Sequence, residues 1–161
     1  MEIDDALVVW ANRAARRWSW VRRATGVFAR WLAGVEIVLM GLLALGGRRE
    51  SAARMLAAVA TVYVASEVLG SVWPRARPFN RLPSVEALTL HDPGRSFPSR
   101  HVASGLAMAV IGQRAHPHLG HAMSMVALGL GFSRVGAGLH YPSDIVAGAL
   151  LGQAIGRLLR S

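Results

Sequence analysis

Five apolar segments, divided by arginines and prolines, leave this chain few ways to fold. They run roughly from Val27 to Leu45, Ala52 to Trp73, Ser99 to Ala115, Gly120 to Gly138 and Ser143 to Leu159. Several fall short of the ~20 residues a helix needs to cross about 30 Å of hydrocarbon, but flanking arginines can reach the headgroups. The chain has 53% hydrophobic residues, 17% charged residues and a mean hydropathy of +0.35 over 161 residues. That balance is unusual for a soluble domain and predicts an all-α, integral-membrane helical bundle of about five transmembrane helices, one domain spanning 1–161.

The segment before the first apolar run is different. Leu7, Val8, Trp10, Trp18, Trp20 and Val21 alternate with Arg13, Arg16, Arg17, Arg22 and Arg23, too charged a mixture to enter hydrocarbon. It reads as an interfacial amphipathic helix over 1–23 with its tryptophans at headgroup depth. The start lacks the cationic region and unbroken apolar run of a signal peptide, so insertion is expected to rely on the internal spans. One long connection, 74–98, holds Pro74, Pro78, Pro83, Pro93 and Pro98 and is a loop.

All 18 basic residues, set against nine acidic ones, are arginine. Codon use in a GC-rich genome accounts for most of that bias, since Ala and Gly are abundant too. Some of the guanidiniums can still grip anionic oxygens in the two-pronged way lysine cannot. No soluble basic domain or stacking platform accompanies the charge, which argues against nucleic acid. Membrane lipids with anionic headgroups, or a lipid phosphate substrate, fit better. The absence of cysteine excludes disulfides, thiolate catalysis and cysteine metal sites.

Counting spans brings the unusual polar residues together. The end of span two, the start of span three, the end of span four and the start of span five all emerge on one face. There lie Arg75 and Arg77, then Ser99, Arg100 and His101, then Ser133 and Arg134, then His140 and Asp144. In SRVGAGLHYPSD (133–144), Pro142 suits a helix start, so Asp144 falls one turn from His140 and can orient its ring. The free ring nitrogen is then a nucleophile. A capping Asp beside a surface His is the competing reading of that segment alone. In SFPSRH (96–101), helix-start residues leave the N–H groups of Ser99, Arg100 and His101 aimed at the loop as an anion site, with His101 placed to protonate a leaving oxygen. Arginines, a helix N-terminus and two histidines describe a phosphoryl-transfer site.

The order RP, then PSxH, then SRx5Hx3D closely resembles the three-part signature of the type 2 phosphatidic acid phosphatase (PAP2) superfamily, which includes lipid phosphatases and vanadium haloperoxidases. The resemblance covers roughly Arg75 to Asp144. It implies that His140 attacks phosphorus to form a phosphohistidine, Asp144 orients it and His101 protonates the leaving group. Arg77, Ser99 and Arg134 would hold the phosphoryl oxygens, and neither metal nor cofactor is implied. The usual first motif carries a lysine seven residues before the RP arginine, where this chain has Gly70; Arg75 or Arg100 is the candidate substitute. Arg100 also replaces the common glycine of the second motif. Short undecaprenyl-diphosphate phosphatases vary at the same two points.

The resemblance therefore implies a multi-pass membrane phosphatase acting on a polyprenyl-linked phosphate or diphosphate, of the undecaprenyl diphosphate or decaprenylphosphoryl-5-phosphoribose type used in cell-wall precursor synthesis. Alternatives are a phosphatidate or phosphatidylglycerophosphate phosphatase and a non-catalytic lipid-phosphate-binding protein. The soluble haloperoxidases fit five apolar spans poorly.

Other features carry less. His116, His118 and His121 fall in the turn at the opposite face and read as solvated. Glu67, two turns before the end of span two, can reach an arginine of the site, while His91 and Asp92 in the long loop stand near a headgroup. The glycine stripe Gly148, Gly152 and Gly156 suits close helix packing inside the bundle. Twelve arginines on the site face against six on the other put that face in the cytoplasm by the positive-inside rule, whereas related polyprenyl-diphosphate phosphatases face outward. The sequence leaves the orientation, like the oligomeric state, open.

Overall fold

A computed structural model describes residues 3–160. Seven helices follow in order: α1 (Ile3–Arg16), α2 (Ser19–Leu45), α3 (Arg49–Val72), the single turn α4 (Pro78–Arg81), α5 (Arg100–Ala115), α6 (Pro117–Gly136) and α7 (Pro142–Leu159). The described residues are all-helical apart from loops and one isolated bridge between Ala76 and Arg95.

α5 forms the axis. From Val102 to Ala109 every residue is buried, and most of them are small, so α3, α6 and α7 can close around it. The glycine stripe of α7 explains how closely. A methyl group at Gly148 would sit 2.6 Å from the Ser99 carbonyl oxygen and one at Gly156 2.8 Å from that of Ala107, while Gly152 lies against Ala103. The stripe is therefore spent on packing within the bundle. Met55, Val62, Ala107, Met108, Met123 and Ile155 fill the main core.

α2 and α3, at 27 and 24 residues, are long and apolar enough to cross a membrane. Their large side chains point outward: Val27, Phe28, Trp31, Ile37, Val38 and Leu42 on α2, and Leu56, Val64, Val68 and Val72 on α3, are exposed. An apolar face turned away from the core is what a lipid-facing helix requires.

The N-terminal region differs from the single interfacial helix predicted over 1–23. Residues 1 and 2 lie outside the described residues. α1 ends at Arg16, and Trp20 to Arg23 already belong to α2. α1 is also tied into the protein rather than simply resting beside it. Asn12 is fully buried; its side-chain NH2 donates to the carbonyls of Glu86 and Gly136, both at 2.9 Å, and its Oδ1 accepts from the Glu86 N–H. The charged face of α1 supplies anchors for the long loop, which is why amphipathicity alone misplaced it.

That loop, 74–98, is itself held. Phe79 N–H donates to the Gly138 carbonyl and Leu88 N–H to that of Ala137, so the loop lies on the turn between α6 and α7. Ser96 N–H donates to the Arg75 carbonyl at 2.8 Å and closes its two ends.

Candidate active site

The ends of α3, α5, α6 and α7 meet under the loop, and the residues singled out by spacing meet with them. Gly138, at φ 74°, makes the turn that follows α6. Beyond it His140 is almost wholly buried, at 2% exposure. Arg77 Nη1 lies 3.2 Å from His140 Nε2 and donates also to the Leu139 carbonyl at 3.0 Å. A guanidinium can only donate, so Nε2 is the acceptor and the ring proton sits on Nδ1, towards Asp144. Burial, reinforced by the charges of Arg77 and Arg134, pushes the His140 imidazole down to about 4 against the pull of Asp144. The ring is neutral at pH 7, with its lone pair among the arginines.

Asp144 is also fully buried, but its Oδ2 stands 3.6 Å from His140 Nδ1, beyond a hydrogen bond. The reason is competition. Oδ2 accepts from the Tyr141 N–H at 2.9 Å as part of the cap of α7, and Oδ1 accepts from Arg75 Nη1 at 3.0 Å. The carboxylate steers the ring by charge and waits one short shift from bonding it.

Arg77 and Arg134 are 5% and 3% exposed, and among the described residues neither has a carboxylate within ion-pair distance. Arg134 Nη1 instead meets His91 Nε2 at 3.2 Å. Burial lowers Arg77 to about 10, which keeps it charged. Two buried cations with no acid between them demand an anion. Ser99 Oγ is buried without a partner beside them. Of the three N–H groups expected at the mouth of α5, that of Ser99 is used by the Asp144 carbonyl at 3.0 Å. Those of Arg100 and His101, in the first turn of α5, have no partner within the helix.

The two candidate substitutes for the motif lysine have other occupations. Arg75 donates to Asp4 at 2.6 Å, to Ser143 at 2.6 Å and to Asp144, and its guanidinium carbon lies 3.7 Å from the centre of the Tyr141 ring. It supports Asp144 from behind. Arg100 lies 3.7 Å from Glu67 and over the Tyr63 ring, at the rim of a cleft it shares with Arg77, His91 and Arg95. Gly70 forms the floor of that cleft. A methyl group there would lie 2.9 Å from the Phe97 carbonyl oxygen and 3.7 Å from Arg95 Nε. Arg95, paired with Glu67, thus occupies the space over the residue that replaces the lysine. Sequence reasoning passed over Arg95; its place one residue before SFPSRH was the available signal.

Asp4 and Asp5 were missed as well. Asp5 pairs with Arg81, whose Nε donates to the Tyr141 hydroxyl at 2.8 Å. At the far end of the bundle, His116 caps α6 by accepting from the Leu119 N–H, and His118 and His121 are exposed. No acidic or histidine cluster suited to a metal occurs among the described residues.

A buried neutral histidine, a carboxylate behind it, a second histidine at a helix mouth and two buried arginines without a carboxylate partner are gathered at one end of the bundle. Residues 51–161 match the PAP2 superfamily, and the chain belongs to that superfamily. It is 33% identical over 118 residues to the bacitracin transport permease protein BcrC of Bacillus licheniformis, covering 70% of this chain and 58% of that protein. It is 32% identical over 130 residues to decaprenylphosphoryl-5-phosphoribose phosphatase of Mycobacterium tuberculosis, covering 78% and 68%. The chain thus spans less than two thirds of the BcrC relative. Among solved structures it is similar to Aquifex aeolicus LpxE, with a TM-score of 0.78 and 27% identity over 99% of this chain and 98% of that one. The first transmembrane PAP2-type phosphatidylglycerolphosphate phosphatase from Bacillus subtilis shares the fold, with a TM-score of 0.72 at 22% identity over 98% and 82%.

Proposed function

We propose that this protein is a membrane phosphatase that hydrolyses a polyprenyl-linked phosphate or diphosphate through a phosphohistidine at His140. The observation that carries the reading is the pair Arg77 and Arg134, both buried with no carboxylate at ion-pair distance among the described residues, Arg77 lying against the unprotonated ring nitrogen of His140 and Arg134 against that of His91. In the first half-reaction His140 Nε2 bonds to phosphorus, the P–O bond to the lipid breaks, and His101 gives its proton to the departing oxygen. Asp144 draws towards Nδ1–H as the ring gains positive charge. In the second, water attacks phosphorus, His101 takes its proton, and the P–N bond breaks to release inorganic phosphate. Arg77, Arg134, Ser99 and the α5 N–H groups hold the three oxygens whose charge changes.

The same reading has α2, α3, α5, α6 and α7 crossing the membrane and α1 at its surface. Trp10, Trp18, Trp20 and Trp73 are all exposed and all at the site end of the bundle, where an aromatic belt sets the depth of the headgroups. The polyprenyl substrate class rests on the likeness to decaprenylphosphoryl-5-phosphoribose phosphatase of Mycobacterium tuberculosis. The test is phosphate release from micellar prenyl phosphates, prenyl diphosphates and phosphatidate, with vanadate as inhibitor. Release from none of them by purified protein, with or without added divalent cation, refutes the reading. Labelling of cysteines placed at Leu90 and at His118, from either side of the membrane, tests the span count and fixes the face.

A further inference from the structure

His101 borders two spaces. On one side is a cleft lined also by Arg134, His91 and Asp92. On the other is a cavity of about 360 Å³ between α2, α3 and α5. If His101 protonates the leaving oxygen, the rest of the leaving group has to continue past it, and this cavity is what it meets. Most of the lining is apolar, with Ile37, Met40, Leu56 and Met108 suited to a lipid chain. Besides His101 and Tyr63, two members are polar. Glu36 is 1% exposed and both of its carboxyl oxygens lack a hydrogen-bond partner; Ser104 Oγ is in the same condition. A methyl group at Gly105, one turn along α5 from His101, would lie 3.4 Å from Glu36 Oε1. The two polar groups therefore stand about one helical turn along α5 from His101, roughly 5 Å.

A carboxyl and a hydroxyl buried in an apolar groove without partners are costly unless a ligand completes them. The charge of the groove narrows what that ligand is. No lining residue is an arginine, so a second phosphate at this depth would face an acid instead of a cation. Resting on the phosphatase reading, we infer that Glu36 and Ser104 form a polar subsite for a neutral, oxygen-bearing spacer immediately next to the scissile phosphate. Sugar hydroxyls and glyceryl ester oxygens both have that chemistry. The preferred substrate is then a phosphomonoester on such a spacer rather than a diphosphate joined directly to a prenyl chain.

Three probes with short tails separate the possibilities: farnesyl diphosphate, a farnesylphosphoryl pentose 5-phosphate and dioctanoyl phosphatidate. Glu36→Leu is expected to lower kcat/KM roughly tenfold or more for one or both spaced substrates, and to leave farnesyl diphosphate unchanged or faster, as loss of a substrate hydrogen bond predicts. Glu36→Gln, which keeps a donor and an acceptor, restores most of the loss. Whichever spaced probe responds identifies sugar or ester. Equal effects on all three substrates, or none, overturn the proposal. Product binding gives a readout independent of turnover. The farnesylphosphoryl pentose or dioctanoylglycerol should raise the Tm of the wild type and Glu36→Gln more than that of Glu36→Leu, with farnesol indifferent to the change. If no substrate is hydrolysed but this pattern holds, the phosphatase reading fails and the subsite stands; an identical Tm response in all three proteins overturns the subsite.

Discussion

Arg75 and Arg77 are two residues apart in one short stretch and have opposite fates. Arg75 is enclosed by Asp4, Asp144 and Ser143 and set against the Tyr141 ring. Arg77 is more deeply buried and touches only a carbonyl and a histidine nitrogen. The first is neutralised within the fold and braces it, whereas the second keeps its charge uncompensated for an anion. What separates them is the supply of carboxylates, and the decisive one, Asp4, comes from α1, 71 residues away. An arginine in an anion site is recognised by what does not pair with it.

The sharpest way to break this contrast is at the histidine that Arg77 touches and Arg75 does not. His140→Ala should reduce phosphate release by at least about 10³-fold while helix content by circular dichroism and Tm stay close to wild type. Turnover near wild type would remove the nucleophile assignment. Next in size, Arg77→Ala or Arg134→Ala should cost roughly 10²–10³ in kcat/KM with little loss of stability, because each removes an uncompensated buried cation as well as a phosphate contact. Equal losses of Tm and activity would place these arginines with Arg75 instead.

Arg75→Ala should show the reverse pattern. It leaves the Asp4 and Asp144 carboxylates short of a donor and should destabilise by roughly 1–3 kcal/mol, read by thermal unfolding in detergent, with a smaller loss of activity through the position of Asp144. Asp4→Asn should share part of that loss, and the double variant should fall short of the sum.

Acidity gives a further separation. In the proposed reaction His140 attacks as the neutral ring, so the acid limb of kcat/KM should fall near pH 4 rather than near 6.5. Arg77 pushes that value down, so Arg77→Gln should move the limb upward, whereas Arg75→Gln, which removes a partner of Asp144, should move it little. Stability carries the same sign. A histidine depressed in the fold binds more protons when unfolded, so its contribution is complete above about 6.5 and is lost as pH falls towards 4. The smallest expected effect lies at the rim. Glu67→Gln frees Arg95 and Arg100 from an exposed ion pair worth under about 1 kcal/mol, and should leave Tm unchanged while lowering KM a few-fold for the more anionic substrate.

Much of the site was legible because helical spacing is local. His140 and Asp144, four residues apart at the start of α7, and Ser99 to His101 at the start of α5, are close in the fold for the same reason they are close in the chain. Counting spans was enough to bring the four helix ends to one face. Spacing was silent about Arg95, whose side chain lies over Gly70, and about Asn12 and Asp4, which turn α1 from a surface helix into a clamp on the loop. It also implied a direct His140–Asp144 hydrogen bond, which the demands of Tyr141 and Arg75 on the same carboxylate stretch to 3.6 Å.

The sequence by itself thus determined the helical bundle and the gathering of the motif histidines and arginines at one end of it, since hydrophobic runs and residues within a turn of each other act over short stretches of chain. Which arginines are neutralised and which stay available, and that His101 opens onto a groove containing Glu36, were decided only by the tertiary structure. Charge pairing and burial depend on neighbours far away in the chain, and those neighbours meet only when the helices have packed.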